Sequence, residues 1–124
     1  MEKKIRILTR ELKLEAELDD SKTAQLIWDA LPIEGENNLW GNEIYFSIPV
    51  KTESESGARE VVSLGELGYW PPGNAFCIFF GRTPASRGDE IRAASAVNII
   101  GKILGDPKVL RKAKNGAKIT LEKA

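Results

Sequence analysis

The chain has 124 residues, 42% hydrophobic and 29% charged, the balance of one globular domain (residues 1–124) that buries its own core. Eighteen Lys and Arg offset eighteen Asp and Glu, so no field of one sign draws in nucleic acid, an anionic membrane or an acidic substrate. With no histidine and the single cysteine Cys77, the sequence excludes His-activated nucleophiles, His-ligated metals, paired-Cys zinc sites and internal disulfides.

The start, Met-Glu-Lys-Lys-Ile-Arg, is charged and no long apolar segment follows it. Neither a signal peptide nor a membrane span is expected, and the lone cysteine fits a reducing cytoplasm. Ile5 to Thr9 alternates like a first strand, and Leu12 to Leu18 alternates strictly between apolar and charged residues, the pattern of a half-buried strand. The break at Arg10-Glu11 makes the two a hairpin or one bent strand. Asp20-Ser21 then offers N-cap oxygens, and Ala24, Ile27, Trp28 and Leu31 form one helical stripe that Pro32 ends. Trp28 reads as a core anchor.

Ile33 to Asn42 reads as a loop rich in Glu, Asn and Gly. Glu43 to Val50 is a strand with Ile44, Phe46 and Ile48 on one face and Tyr45 and Ser47 on the other. Lys51 to Glu60 is polar throughout and reads as a mobile hairpin loop. Val61 to Leu64 is short and strand-like. Asp89 to Ala96 is a short helix or an irregular approach to the apolar run Ala96–Leu104, which reads as a central strand. Asp106-Pro107 is an N-cap followed by Pro at the first helical position. Val109, Leu110 and Ala113 form that helix's inner face, Asn115-Gly116 stops it, and Ala117–Leu121 closes the chain as a strand. Seven or eight strands and two distant helices, without a βαβ rhythm, predict a mainly β fold: a closed antiparallel barrel with helices at its ends.

Neither phosphate-cradling glycine motif nor a GxSxG elbow is present. Of the carboxylate pairs, Asp19-Asp20 reads as a helix cap, and Asp89-Glu90 is the one pair placed to face a groove. The basic residues near the C-terminus read as a solvated helix face that complements the helix dipole. No cofactor and no metal site is expected.

The most informative stretch is Gly65–Pro84, GELGYWPPGNAFCIFFGRTP. Pro71-Pro72-Gly73-Asn74 is a tight turn by its own chemistry, because Pro fixes φ and Gly or Asn tolerates positive φ. In the following strand Phe76, Ile78 and Phe80 share one face and Cys77 and Phe79 the other. A strand apolar on both faces is buried on both, or lines a groove with one. Trp70 before the turn and Arg82-Thr83-Pro84 after the second strand are placed to rim a pocket.

The run Gly68–Pro84, together with Asn42–Phe46 and Val97–Gly101, resembles the small prokaryotic cyclophilin-like proteins. The resemblance spans the chain and implies an eight-stranded antiparallel barrel capped by two helices. True cyclophilins isomerise X-Pro bonds with an arginine on a strand bearing Phe-His-Arg, followed by Gly-Phe-Met-x-Gln-Gly-Gly. Neither motif occurs here, since the chain has no His and its one Met is Met1. The expectation is therefore a cyclophilin-like binding domain for a peptide or small metabolite. Its groove is placed on the barrel wall at Tyr45, Trp70, Phe79, Arg82 and Thr83, with Arg82 bonding a carbonyl or carboxylate. The alternative is a divergent peptidyl-prolyl isomerase with Arg82 or Arg59 as the electrophile.

Overall fold

In the computed structural model, which describes residues 3–124, strands β1 (Lys3–Thr9) and β2 (Leu12–Leu18) form a hairpin. The register sets Ile5 against Ala16 and Ile7 against Leu14, all buried, while the charged residues between them face outward. Helix α1 (Lys22–Ala30) follows. Ser21 caps it with Oγ accepting from the Ala24 N–H at 3.2 Å, and Asp19 steadies the cap by accepting from the Ser21 N–H at 2.9 Å.

Eight further strands follow: β3 (Ile33–Glu36), β4 (Asn38–Leu39), β5 (Glu43–Ser47), β6 (Arg59–Val62), β7 (Glu66–Trp70), β8 (Ala75–Phe79), β9 (Ile91–Leu104) and β10 (Lys118–Lys123). Every pairing among them is antiparallel, in the order β3-β10-β1-β2-β9-β7-β8-β5-β4, with β6 attached to β9 alone. Among the described residues no helix is long and apolar enough to cross a membrane.

The expected closed eight-stranded barrel is corrected to an open sheet of ten strands, nine in one path and β6 on β9. Two features account for the difference. First, Ile33 to Asn42 is no loop. It carries β3 and β4 at the two ends of the path, joined by the chain at Asn37 and by no ladder. Second, the chain from Ile91 is extended where a short helix was one expectation, so β9 runs for 14 residues and serves two sets of partners. Its C-terminal part pairs with β2 and β7, and its N-terminal part pairs with β6.

The second helical segment, Pro107–Lys112, is a 3-10 helix whose Asp106 cap accepts from the Lys108 N–H at 3.0 Å. The polar Lys51–Glu60 segment is pinned rather than loose. Glu55 accepts from the backbone N–H and hydroxyl of Thr23 at the start of α1, and its own N–H donates to Asn98 Oδ1 at 2.8 Å.

The apolar residues divide into two cores. The larger, inside the curved sheet, holds Ile5, Ile7, Phe46, Tyr69, Phe76, Ile78 and Phe80, with Trp28 packed at its edge. The smaller lies on the outer face of β5, β8 and β7. There Ala75, Cys77 and Phe79 meet Val62, Ile91, Ala93 and Val97 from the β6–β9 arm, which folds over that face. The two-faced apolar pattern of β8 therefore means burial on both sides.

Candidate functional site

Between the β6–β9 arm and the outer face of the sheet lies a cavity of about 230 Å³. Glu43 and Tyr45 of β5 and Trp70 of β7 line one side, Trp40 stands at the entry to β5, and Ala93, Ala94 and Val97 of β9 form the other side. A break in strand pairing opens it. Arg59 pairs with Val97 and Val61 with Arg92, so two steps along β6 match five along β9. The extra residues, Ala93 to Ala96, bulge, and their small side chains leave space facing the aromatic rings.

Each aromatic wall is held by local chemistry. Trp70 donates its indole N–H to Ser95 Oγ at 2.7 Å. Its ring also lies against the tight turn, where a Cβ on Gly73 would stand 2.9 Å from ring carbons. Trp40 and Glu43 bracket the hairpin turn Gly41-Asn42 and exchange backbone hydrogen bonds at 2.9 and 3.2 Å. Positive φ (61°) at Gly41 but not at Asn42 is the pattern of a type II′ turn. That turn docks on the segment after β8: Asn42 donates to the Arg82 carbonyl and accepts from the Phe80 N–H, both at 2.9 Å.

Glu43 is the chemically unusual member. Its side chain is buried, and Oε1 has no hydrogen-bond partner. Phe79 stands directly opposite on β8, fully buried. Burial pushes the Glu43 carboxyl up to about 7, with the neighbouring Cys77 thiol pulling the other way. Burial, reinforced by the Glu43 charge, pushes the Cys77 thiol well up in turn.

The five residues expected at a groove meet different fates. Tyr45 and Trp70 are half-buried and line the cavity. Phe79 belongs to the smaller core and has no surface for a ligand. Thr83 is buried, with its hydroxyl donating to the Arg92 carbonyl and accepting from the Ala85 N–H. Arg82 is exposed, its guanidinium 3.4 Å from the Ser86 carbonyl, and only its backbone reaches the Trp40–Glu43 turn. Arg59 pairs with Glu66 at 2.9 Å. Neither arginine lines the cavity.

Of the carboxylate pair Asp89-Glu90, Glu90 accepts from the Arg87 and Gly88 N–H groups and pairs with Arg92. These bonds pull its pKa down to about 2 and mark a loop cap. Sequence reasoning missed Glu43 and Trp40. The signal for Glu43 was present: stepping the Tyr45/Ser47 face back by two residues reaches Glu43.

The sequence profile of the Cyclophilin-like family matches residues 3–122. The chain belongs to the cyclophilin-like family. A hypothetical protein of Archaeoglobus fulgidus, known from a solution structure, is similar over 99% of this chain and 95% of its own, with 43% identity and a TM-score of 0.85. McbB, solved in complex with tryptophan, shares the fold at a TM-score of 0.67. It is 16% identical over 95% of this chain and 44% of its own. No curated protein matches. Within this cyclophilin-like domain the resemblance carries the architecture, while the cavity has to be read from its own residues.

Proposed function

We propose that this cyclophilin-like domain is a small-molecule-binding module whose site is the cavity of Trp40, Glu43, Tyr45 and Trp70. One observation carries the reading: the buried, unpartnered carboxyl oxygen of Glu43 at an otherwise apolar, aromatic-lined pocket. A buried polar atom without a partner costs about 1–3 kcal/mol. A ligand that hydrogen-bonds it recovers that loss, and the rings supply apolar contact. About 230 Å³ is room for roughly seven water-sized groups, which suits a small metabolite or one side chain of a peptide. The Cys77 thiol beside Glu43 is buried and held toward its protonated form, so it offers no thiolate to the pocket.

Titration of the ¹⁵N-labelled protein with a small panel of ring-bearing fragments tests this. The Trp40 and Trp70 indole resonances are expected to move while Trp28, on the far core, stays still. A panel that perturbs neither pocket indole at millimolar concentration overturns the reading. A coupled cis/trans assay on Ala-Pro peptides addresses the isomerase alternative separately, with a background rate at high protein concentration as the expected result.

A further inference from the structure

We infer that the ligand's anchoring group is an alkylated ammonium, set against Trp40, Tyr45 and Trp70 and paired with the Glu43 carboxylate. The inference rests on the binding reading above and names its ligand class. Three electron-rich rings line the space opposite the small β9 side chains, and the faces of Trp and Tyr carry the negative end of the ring quadrupole. A cation within about 6 Å of such a ring gains roughly 0.5–2 kcal/mol, most when desolvated and when the ring is Trp. An anion meets repulsion from the rings and from Glu43 alike. A neutral apolar group fills the space but brings no positive charge to the Glu43 carboxylate.

The charge balance points the same way. Among the described residues no Lys or Arg lines the pocket, so no lining cation neutralises Glu43 once it ionises. The arginines in the neighbouring segments are committed elsewhere: Arg92 to Glu60 and Glu90, Arg59 to Glu66, and Arg82 to the Ser86 carbonyl. The carboxyl shares its surroundings with two other titratable groups, Tyr45 on its own strand and Cys77 on β8. Trp40, Trp70, Ala93, Ala94 and Val97 carry none. Methylation favours this site over water, because an alkylated ammonium is weakly hydrated and its methyl groups pack on rings. The fold already contains one such contact: the Lys123 ammonium lies 4.6 Å from the Trp28 ring centroid.

The test is a titration of the labelled protein at pH 8 with choline chloride against 3,3-dimethyl-1-butanol, its uncharged isostere, with sodium chloride matched throughout. Choline is expected to shift the Trp40 and Trp70 indoles but not Trp28, and to bind at least tenfold more tightly than the isostere. In Glu43→Gln, which keeps the shape and removes the charge, that preference is expected to fall at least threefold, the rings keeping the remainder. Choline affinity in the unsubstituted protein is expected to fall as pH drops from 8 to 6, because the carboxyl that titrates near 7 becomes neutral. Equal binding of choline and the isostere overturns the cation while leaving the binding site in place. Silence from both, with the ring fragments still moving the pocket indoles, likewise overturns the cation alone. Silence from all probes removes both readings.

Discussion

Glu43 sets the pH behaviour of the folded chain. Its folded-state pKa of about 7 lies above the ordinary 4.5, so the fold favours the protonated form. Below about pH 4.5 both folded and unfolded chains hold the proton and no penalty exists. As pH rises toward 7 the unfolded chain releases it first, and stability declines. Above 7 the penalty is complete, on the order of 3 kcal/mol from the two endpoints. Glu43→Gln removes this titration. The stability of Glu43→Gln relative to the unsubstituted protein is therefore expected to rise by about 3 kcal/mol between pH 4 and pH 8. Urea denaturation of both proteins across that range measures it, and a difference that does not change with pH would falsify the assignment. Cys77, beside Glu43 and also buried, is expected to resist alkylation by iodoacetamide at pH 8 in the folded chain and to react once urea unfolds it. Rapid labelling of the folded protein would show that the carboxyl's surroundings are wetter than this packing implies.

The pocket depends on how a few elements meet, and the β4–β5 turn is the most exposed to a single change. Gly41 has φ of 61°, and a Cβ there would stand 2.8 Å from Pro84 Cδ and 3.0 Å from the Arg82 carbonyl. Gly41→Ala combines a left-handed backbone at a non-glycine residue with that collision, and about 2–3 kcal/mol of destabilisation is expected. Thermal unfolding gives the loss, and the Trp40 indole shift reports whether the turn has moved off the Arg82–Pro84 segment. A change below about 0.5 kcal/mol would show that the docked turn has slack.

This turn also marks where the sequence stops being readable. Alternation identified β1, β2 and β5, capping chemistry identified α1, and the two faces of β8 were assigned correctly, each because the signal is local. The Glu43–Val50 strand supplied Tyr45 and the aromatic stretch supplied Trp70, and both line the cavity. Neither revealed that Phe79 lies beneath the pocket while Tyr45 lines it. Depth is set by the β6–β9 arm folding over that face, a contact between residues far apart in the chain. The bulge at Ala93–Ala96 was equally hidden, because small residues without periodicity read as helix or irregular chain alike. Trp40 vanished into a segment whose Glu, Asn and Gly read as loop, although it carries β3 and β4.

On the scale of the whole molecule, Asn37 joins the two ends of the strand path. β3 and β4, the terminal strands, flank it in sequence, so the sheet curves until its edges meet at one residue. The backbone there is held by the closing segment of the chain: the Asn37 N–H donates to the Ala117 carbonyl, and the Asn37 carbonyl accepts from the Gly116 N–H, both at 2.8 Å. Its side-chain amide donates to Thr9 Oγ at 2.9 Å and to the Lys114 carbonyl at 3.2 Å. Thr9 in turn donates to the Lys118 carbonyl at 2.9 Å. One buried amide thus ties together the end of β1, the approach to β10 and the seam between the sheet's edges. Truncation in Asn37→Ala removes the donor to Thr9 Oγ and one of the two donors to the Lys114 carbonyl, which keeps the Ala117 N–H, and it leaves a void, so about 1–3 kcal/mol of destabilisation is expected. The loss should be global: hydrogen exchange is expected to accelerate in β3, β10 and β1 together, since all three lean on the same amide. Faster exchange confined to β3 would show instead that the edges are held independently, with Asn37 serving only its own turn.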